Sequence, residues 1–362
     1  MSGVSKINGI ALANVAKVNN IAKANLGKVS GITVPSAAYS SANSVFFDNT
    51  DDYGIINGCV LPTDEGSVSF WLKLGQTEGT DIIFFWGDSL STGGSTSNGF
   101  IDVRLQNNSG NPAARNIVFT YADGTSGQAR ACSIKSSSAD HGTAFSRWKA
   151  NYDGVFSSFW NKWEYNANKL IEPGTHNFSP AEGSEHGWHH FVVTWDVSET
   201  YVGKDGQSAH TFRPRFSHDG TTTTHTGTMR IYMDGVLRNF GQSRYPSHNY
   251  QRTPIGMDEI SSNSLSEIGV MGRPNNALHT AGNMDDLACF NSKLSDAEVT
   301  AIYNSGTPTD LTSNSGNYTS SSNLIGYWKF DESSGTTIAD SSTNSNDMTL
   351  INGPTWDNGD AP

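Results

Sequence analysis

Apolar and polar residues alternate with period two along many short stretches of the chain. From Ser67 to Leu74 the alternation is kept over the whole run, which puts its apolar set on one face of a half-buried strand. Similar runs are Val45 to Asp48, Tyr53 to Ile56, Ile82 to Trp86, Phe100 to Leu105, Ile117 to Tyr121, His190 to Trp195, Met229 to Met233, Glu267 to Met271 and Met284 to Phe290. One layer cannot bury so many apolar faces, so the pattern predicts an all-β fold of two packed sheets. A single helix interrupts it. Ser295 to Glu298 has the form of a capping box, Ala297, Ala301 and Ile302 follow, and Gly306 supplies a stop, which predicts about three helical turns.

Residues 1–34 follow a different rule. Lys6, Lys17 and Lys28 each open an 11-residue unit in which Ile7, Val18 and Val29, and then Ile10 and Ile21, fall on like positions. Such a period can wind a helix into a right-handed supercoil, whereas Asn8-Gly9 and Asn19-Asn20 are turn dipeptides that favour short extended rungs. Neither form encloses a core. The segment is expected to order against other chains, as an anchoring or oligomerising arm carried by Lys6, Ile7, Ile10, Lys17, Val18, Ile21, Lys28 and Val29.

Residues 35–362 read as one domain. Thr307 to Asn323 is polar and rich in Ser, Thr, Asn and Gly, a composition that predicts a linker running over the surface. The closing segment, 324–356, alternates again at Leu324 to Phe330 and at Met348 to Ile351 around a polar turn. A hairpin there would be marginal alone, so it is expected to add strands to the sandwich.

Composition narrows the function. The net charge of −12 disfavours a general electrostatic grip on nucleic acid or an anionic membrane, and no apolar run approaches the roughly 20 residues that span a bilayer. Charged residues make up only 16%, and 37 residues are glycine, which suits short strands and tight turns better than helical bundles. The opening residues lack the apolar block of a secretory signal. Cys59, Cys132 and Cys289 are far apart and form no CxxC pair, so reduced thiols in a protein made in the cytosol are expected.

The set Val45 to Tyr53, Ser67 to Leu72, Gly187 to Asp196, Met229 to Val236 and Met284 to Glu298, closed by Gly326 to Trp356, resembles a laminin G-like domain of the concanavalin A-like lectin/glucanase superfamily. The resemblance covers most of residues 41–356 and implies a two-sheet antiparallel jelly-roll sandwich. In that family the closing signature usually opens the domain; coming last, and preceded by the Lys-x-Asn repeat, it is similar to structural proteins of tailed bacteriophages. This implies a virion surface protein, a head decoration or fibre component assembled in the host cytoplasm, with other virion subunits as partners through the arm and a homo-oligomer, by analogy a trimer. The alternative is a glycan-binding host-attachment adhesin that contacts cell-surface glycan; a polysaccharide hydrolase comes third.

Two departures from a compact domain stand out: an insertion at about 124–186 and a Thr/His-rich extension from Ser198 to Thr228. In the insertion, Trp148, Tyr152, Phe156, Phe159, Trp160 and Trp163 are spaced as a helical stripe, which predicts a partly helical docking face, with glycan contact as the other use of such rings. The resemblance also implies one structural calcium ion, held through Asp48, Asp51, Asp52, Asp285 and Asp286 and bridging the early turn to the later strand; the same acids are good turn formers. His189 and His190 are neighbours on a strand and point to opposite faces, so a structural role is expected for both. The strand-borne Glu-x-Asp-x-Glu pattern of sandwich glycosidases is absent, as are Gly-x-Ser-x-Gly and phosphate-binding loops, and no enzymatic activity is expected.

Overall fold

The computed structural model describes residues 39, 41–75, 81–87, 99–108, 111–122, 129–135, 187–204, 222–237, 240–242, 260, 267–274 and 278–362, together with six two-residue strands within 6–33. Those six are β1 (Lys6–Ile7), β2 (Ile10–Ala11), β3 (Lys17–Val18), β4 (Ile21–Ala22), β5 (Lys28–Val29) and β6 (Ile32–Thr33). They pair as β1–β2, β3–β4 and β5–β6, three separate antiparallel sheets. The 11-residue period therefore produces short paired extended strands, and not a supercoiled helix.

The body is built from β7 (Asn43–Asp48), β8 (Tyr53–Asn57), β9 (Glu65–Leu74), β10 (Asp81–Gly87), β11 (Phe100–Asn108), β12 (Asn111–Ala122), β13 (Ala129–Lys135), β14 (His189–Lys204), β15 (Thr222–Met233), β16 (Val236–Leu237), β17 (Phe240–Gln242), β18 (Glu267–Val270), β19 (Ala281–Phe290), helix α1 (Asp296–Tyr303), β20 (Leu324–Trp328), β21 (Thr337–Ile338), β22 (Met348–Ile351) and β23 (Thr355–Asn358). A nine-stranded sheet runs β17-β13-β12-β11-β10-β18-β8-β22-β21; an eight-stranded sheet runs β16-β15-β14-β9-β19-β7-β23, with β20 also on β19. All pairings are antiparallel, and the molecule is an all-β two-sheet jelly-roll sandwich. β13 lies within the expected insertion, yet it continues the larger sheet beyond β12. The aromatic stripe expected to be helical, Trp148 to Trp163, lies outside the described residues.

The core between the sheets is fed by alternate residues of both. Phe70, Leu72, Phe191, Val193, Trp195 and Leu287 come from the eight-stranded sheet, and Phe84, Trp86, Ile101, Val103, Phe119 and Tyr121 from the other. Trp195 is fully buried, and Gly66 opposite it explains how: a Cβ at Gly66 would stand 2.3 Å from the indole. Truncating such a ring costs about 3–5 kcal/mol.

A second cluster covers the outer face of the eight-stranded sheet, where Leu294, Val299 and Ile302 pack on Val192, Tyr232, Ala288 and Phe290. The helix has the expected capping box at Ser295 and Glu298, and at 8 residues it is shorter than the three turns predicted. One expectation is corrected. The polar run 307–323 is not a surface linker, because Leu311 and Tyr318 belong to this cluster, the Tyr318 hydroxyl donates to the Leu311 carbonyl at 2.8 Å, and Glu298 accepts from the Thr319 and Ser320 hydroxyls. The closing segment adds strands to the sandwich as expected, though Leu324–Trp328 and Met348–Ile351 go to different sheets: β20 pairs with β19, β22 joins β8 and β21 in the other sheet, and β23 returns to β7. The end of the chain thus stitches the two layers together.

Candidate functional site

On the nine-stranded sheet, alternation sends Ile101, Val103 and Leu105 of β11 inward and leaves Phe100, Asp102 and Arg104 on the outer face. Strand β12 does the same with Val118, Thr120 and Ala122. In β10 a register shift between Ile82 and Phe84 breaks the alternation, so that Ile83, Phe84 and Trp86 join the core while Ile82 and Phe85 face outward. Phe85, Asp102 and Thr120 consequently lie in one row across three strands. Gly87 makes room beside them, since a Cβ there would stand 2.6 Å from the Phe85 ring. The Phe85 and Phe100 rings stack at 6.0 Å.

The charged groups on this face form an uneven set. Arg104 Nε donates to Asp102 Oδ1 at 3.0 Å and Nη2 pairs with Oδ2, a bidentate contact that occupies both carboxylate oxygens. The Asp102 side chain is fully enclosed, while that of Arg104 is 29% exposed. A second guanidinium, Arg273, lies 4.8 Å over the Phe85 ring and is 6% exposed. It is brought there by the turn after β18, where Met271 adopts φ 59° and its N–H donates to the Ile83 carbonyl at 2.8 Å. Among the described residues, Arg273 Nε and Nη1 have no hydrogen-bond partner. Burial, and then repulsion from Arg273, pushes Arg104 down to about 10. Of the two cations on this face, only Arg104 is paired with a carboxylate.

Comparison with known proteins finds similarity to solved structures only. No family model matches the sequence, and no curated protein does. A protein from Bacteroides ovatus described as a candidate carbohydrate-binding protein is 14% identical with a TM-score of 0.44, over 93% of this chain and 66% of that one; the chain thus spans about two thirds of that protein's length. A heptameric SAP-like pentraxin from Limulus polyphemus is 11% identical with a TM-score of 0.38, over 74% and 84% of the two chains. The IT-sialidase CBM40 of Ruminococcus gnavus is 8% identical with a TM-score of 0.35, over 73% and 100%. The likeness is one of fold alone.

The residues expected to hold calcium separate into two groups. Asp48, Asp51 and Asp52, in the turn between β7 and β8, present carboxylate oxygens within 4.8 Å of one another, a hard-oxygen set of a size that fits calcium. Burial first, and then the Asp48 charge, raises Asp52 above the usual carboxylate range. Asp285 and Asp286 lie elsewhere. Asp48 is paired with Ala281, which puts Asp285 four positions, or about 13 Å, further along β19. No single ion bridges that span. Asp285 and Asp286 instead occupy a bulge where β19 exchanges β7 for β20 as its neighbour, with Asp286 at φ 47°. There Asp286 Oδ1 accepts from the hydroxyls of Tyr39 at 2.9 Å and Tyr327 at 2.5 Å, and Asp285 Oδ2 accepts from the Ser41 hydroxyl at 2.5 Å.

The remaining expectations fall as follows. His189 contacts Asp234 at 2.8 Å and His190 contacts Ser69 at 2.8 Å, on opposite faces of β14, with burial holding His190 down to about 3. Cys59 and Cys289 are free and buried. Trp148, Tyr152, Phe156, Phe159, Trp160 and Trp163 lie outside the described residues, and of the arm residues only the strand pairing is described. The Arg104–Asp102–Arg273 group was not singled out from the sequence. Asp-x-Arg on an alternating strand was the available signal for two members, since it places both charges on one face; Arg273 reaches them only through the fold.

Proposed function

We propose that the chain is a non-enzymatic glycan-binding protein that receives its ligand on the outer face of the nine-stranded sheet. The observation that carries this reading is the pair of guanidiniums on this face, Arg104 held by Asp102 and 29% exposed, and Arg273 over the buried Phe85 ring with two N–H groups unpartnered, since side-chain donors of this kind fix sugar hydroxyls. Titration calorimetry of the full chain against neutral and acidic oligosaccharides is expected to give saturable micromolar binding to one class. Binding should be lost in an Asp102→Ala/Arg104→Ala double variant, which removes the ion pair without leaving either charge uncompensated. No binding by any sugar would overturn the reading, and release of reducing ends from a bound polysaccharide would overturn its non-enzymatic part.

A second reading adds the assembly in which the binder works. Three two-stranded sheets at 11-residue intervals, each too small to be stable alone, support an arm that completes itself against other subunits. With the resemblance to phage structural proteins and to laminin G-like domains, this makes the chain a virion surface protein, a decoration or a fibre component and by analogy a trimer, that displays the sandwich outward.

A further inference from the structure

The Arg104–Asp102–Arg273 group specifies more than a sugar. Asp102 pairs through both oxygens with Arg104, and neither Nε nor Nη1 of Arg273 bonds to it. The Phe85 ring beneath Arg273 attracts a cation through its face, yet it leaves the in-plane N–H donors unused, and two of them, on Nε and Nη1, are buried without a partner. A buried guanidinium with open donors is costly, and an anion of matching width removes that cost. The same anion would offset the repulsion between Arg273 and Arg104, which already weakens the Arg104 proton affinity. The partly exposed Arg104 side chain gives the approach from solvent.

We infer that the ligand of this face is an acidic glycan, whose carboxylate or sulfate group reaches the buried, unpartnered edge of the Arg273 guanidinium beside Arg104. This rests on the glycan-binding reading of the same face. A guanidinium fork matches either anion, and the arms of the test separate them.

Wild-type chain is titrated at low salt with trigalacturonic acid, with a sulfated oligosaccharide derived from heparin, and with maltotriose as the neutral control. The acidic sugars, or one of them, should bind and raise the melting temperature, with affinity falling as salt is added, while maltotriose does neither. Arg273→Gln should weaken acidic binding at least tenfold, with Arg273→Lys intermediate because it keeps the charge and loses the fork. The melting temperature of Arg273→Gln without ligand should stay level or rise, since the variant removes an unpartnered buried charge; a purely structural arginine would lower it. If both variants fail to fold, the wild-type preference between acidic and neutral sugar still decides. Equal binding of all three sugars, unchanged in Arg273→Gln, would overturn the inference and leave glycan binding standing. No binding of any sugar would overturn both.

Discussion

Asp285 and Asp286 are adjacent carboxylates enclosed by the sandwich, and their neighbours explain how the fold tolerates them. The hydroxyls of Tyr39, Ser41 and Tyr327 donate to them, so the bulge clasps the stretch of chain that leads from the repeat into β7. Solvation is still lost. Burial, first among the causes, pushes Asp286 from an ordinary 3.8 up to about 7, and it raises Asp285 well above the same value with the Asp286 charge adding to it. Between those two pH values the folded protein keeps a proton that the unfolded chain has released, so this group's contribution is present below pH 3.8 and is lost as pH rises towards 7. Replacing Asp286 with Asn keeps an acceptor for both tyrosines and removes the titration. The difference in melting temperature between the variant and wild type should therefore move in the variant's favour from pH 4 to pH 7.5. A constant difference across that range would mean that Asp286 is an ordinary ionised carboxylate in the fold.

At the scale of elements, the turn between β7 and β8 and the helix α1 differ in how local their chemistry is. The turn gathers Asp48, Asp51 and Asp52 within five residues, with Thr50 N–H donating to Asp48 Oδ1 at 2.8 Å and Asp48 N–H to Asp52 Oδ2 at 3.2 Å. These three would hold a calcium ion, whose charge cancels their mutual repulsion and ties the start of β8 to the end of β7. Unfolding free energy in millimolar calcium should exceed that in EGTA by about 2.7 kcal/mol when calcium stands at 100 times its dissociation constant, with a correspondingly higher melting temperature, and Asp51→Asn should remove the difference. Identical curves would leave the acids as turn formers only. This cluster was legible in the sequence because its members are neighbours, and so was the capping box of α1, whose bonds span three residues. The segment 307–323 was not legible. Its two apolar anchors, Leu311 and Tyr318, acquire a core only when the outer face of the eight-stranded sheet is in place, and no local composition reports that face. Arg273 failed for the same reason, since a turn after β18 becomes part of a site on β10 and β11 only through long-range pairing.

At the scale of the whole molecule, the question is how the repeat and the sandwich share the work. Strands β1 to β6 pair only within their own hairpins and join neither large sheet, so no hydrogen-bonded ladder of the sandwich depends on them. The clasp at Tyr39 and Ser41 lies beyond residue 34, and a chain lacking residues 1–34 keeps it. Such a truncation should melt within about 1 °C of the full chain, because its core and both ladders are intact, and it should bind glycan equally well. What it should lose is assembly: light scattering of the full chain is expected to give a multimer and of the truncated chain a monomer, since a two-stranded rung gains stability only by adding to other strands. If the truncated chain keeps the multimer, the sandwich carries the contact and the arm is not the anchor. If instead the truncated chain melts several degrees lower, the rungs are part of the folded body, and the division of labour between a binding sandwich and an assembly arm falls with that result.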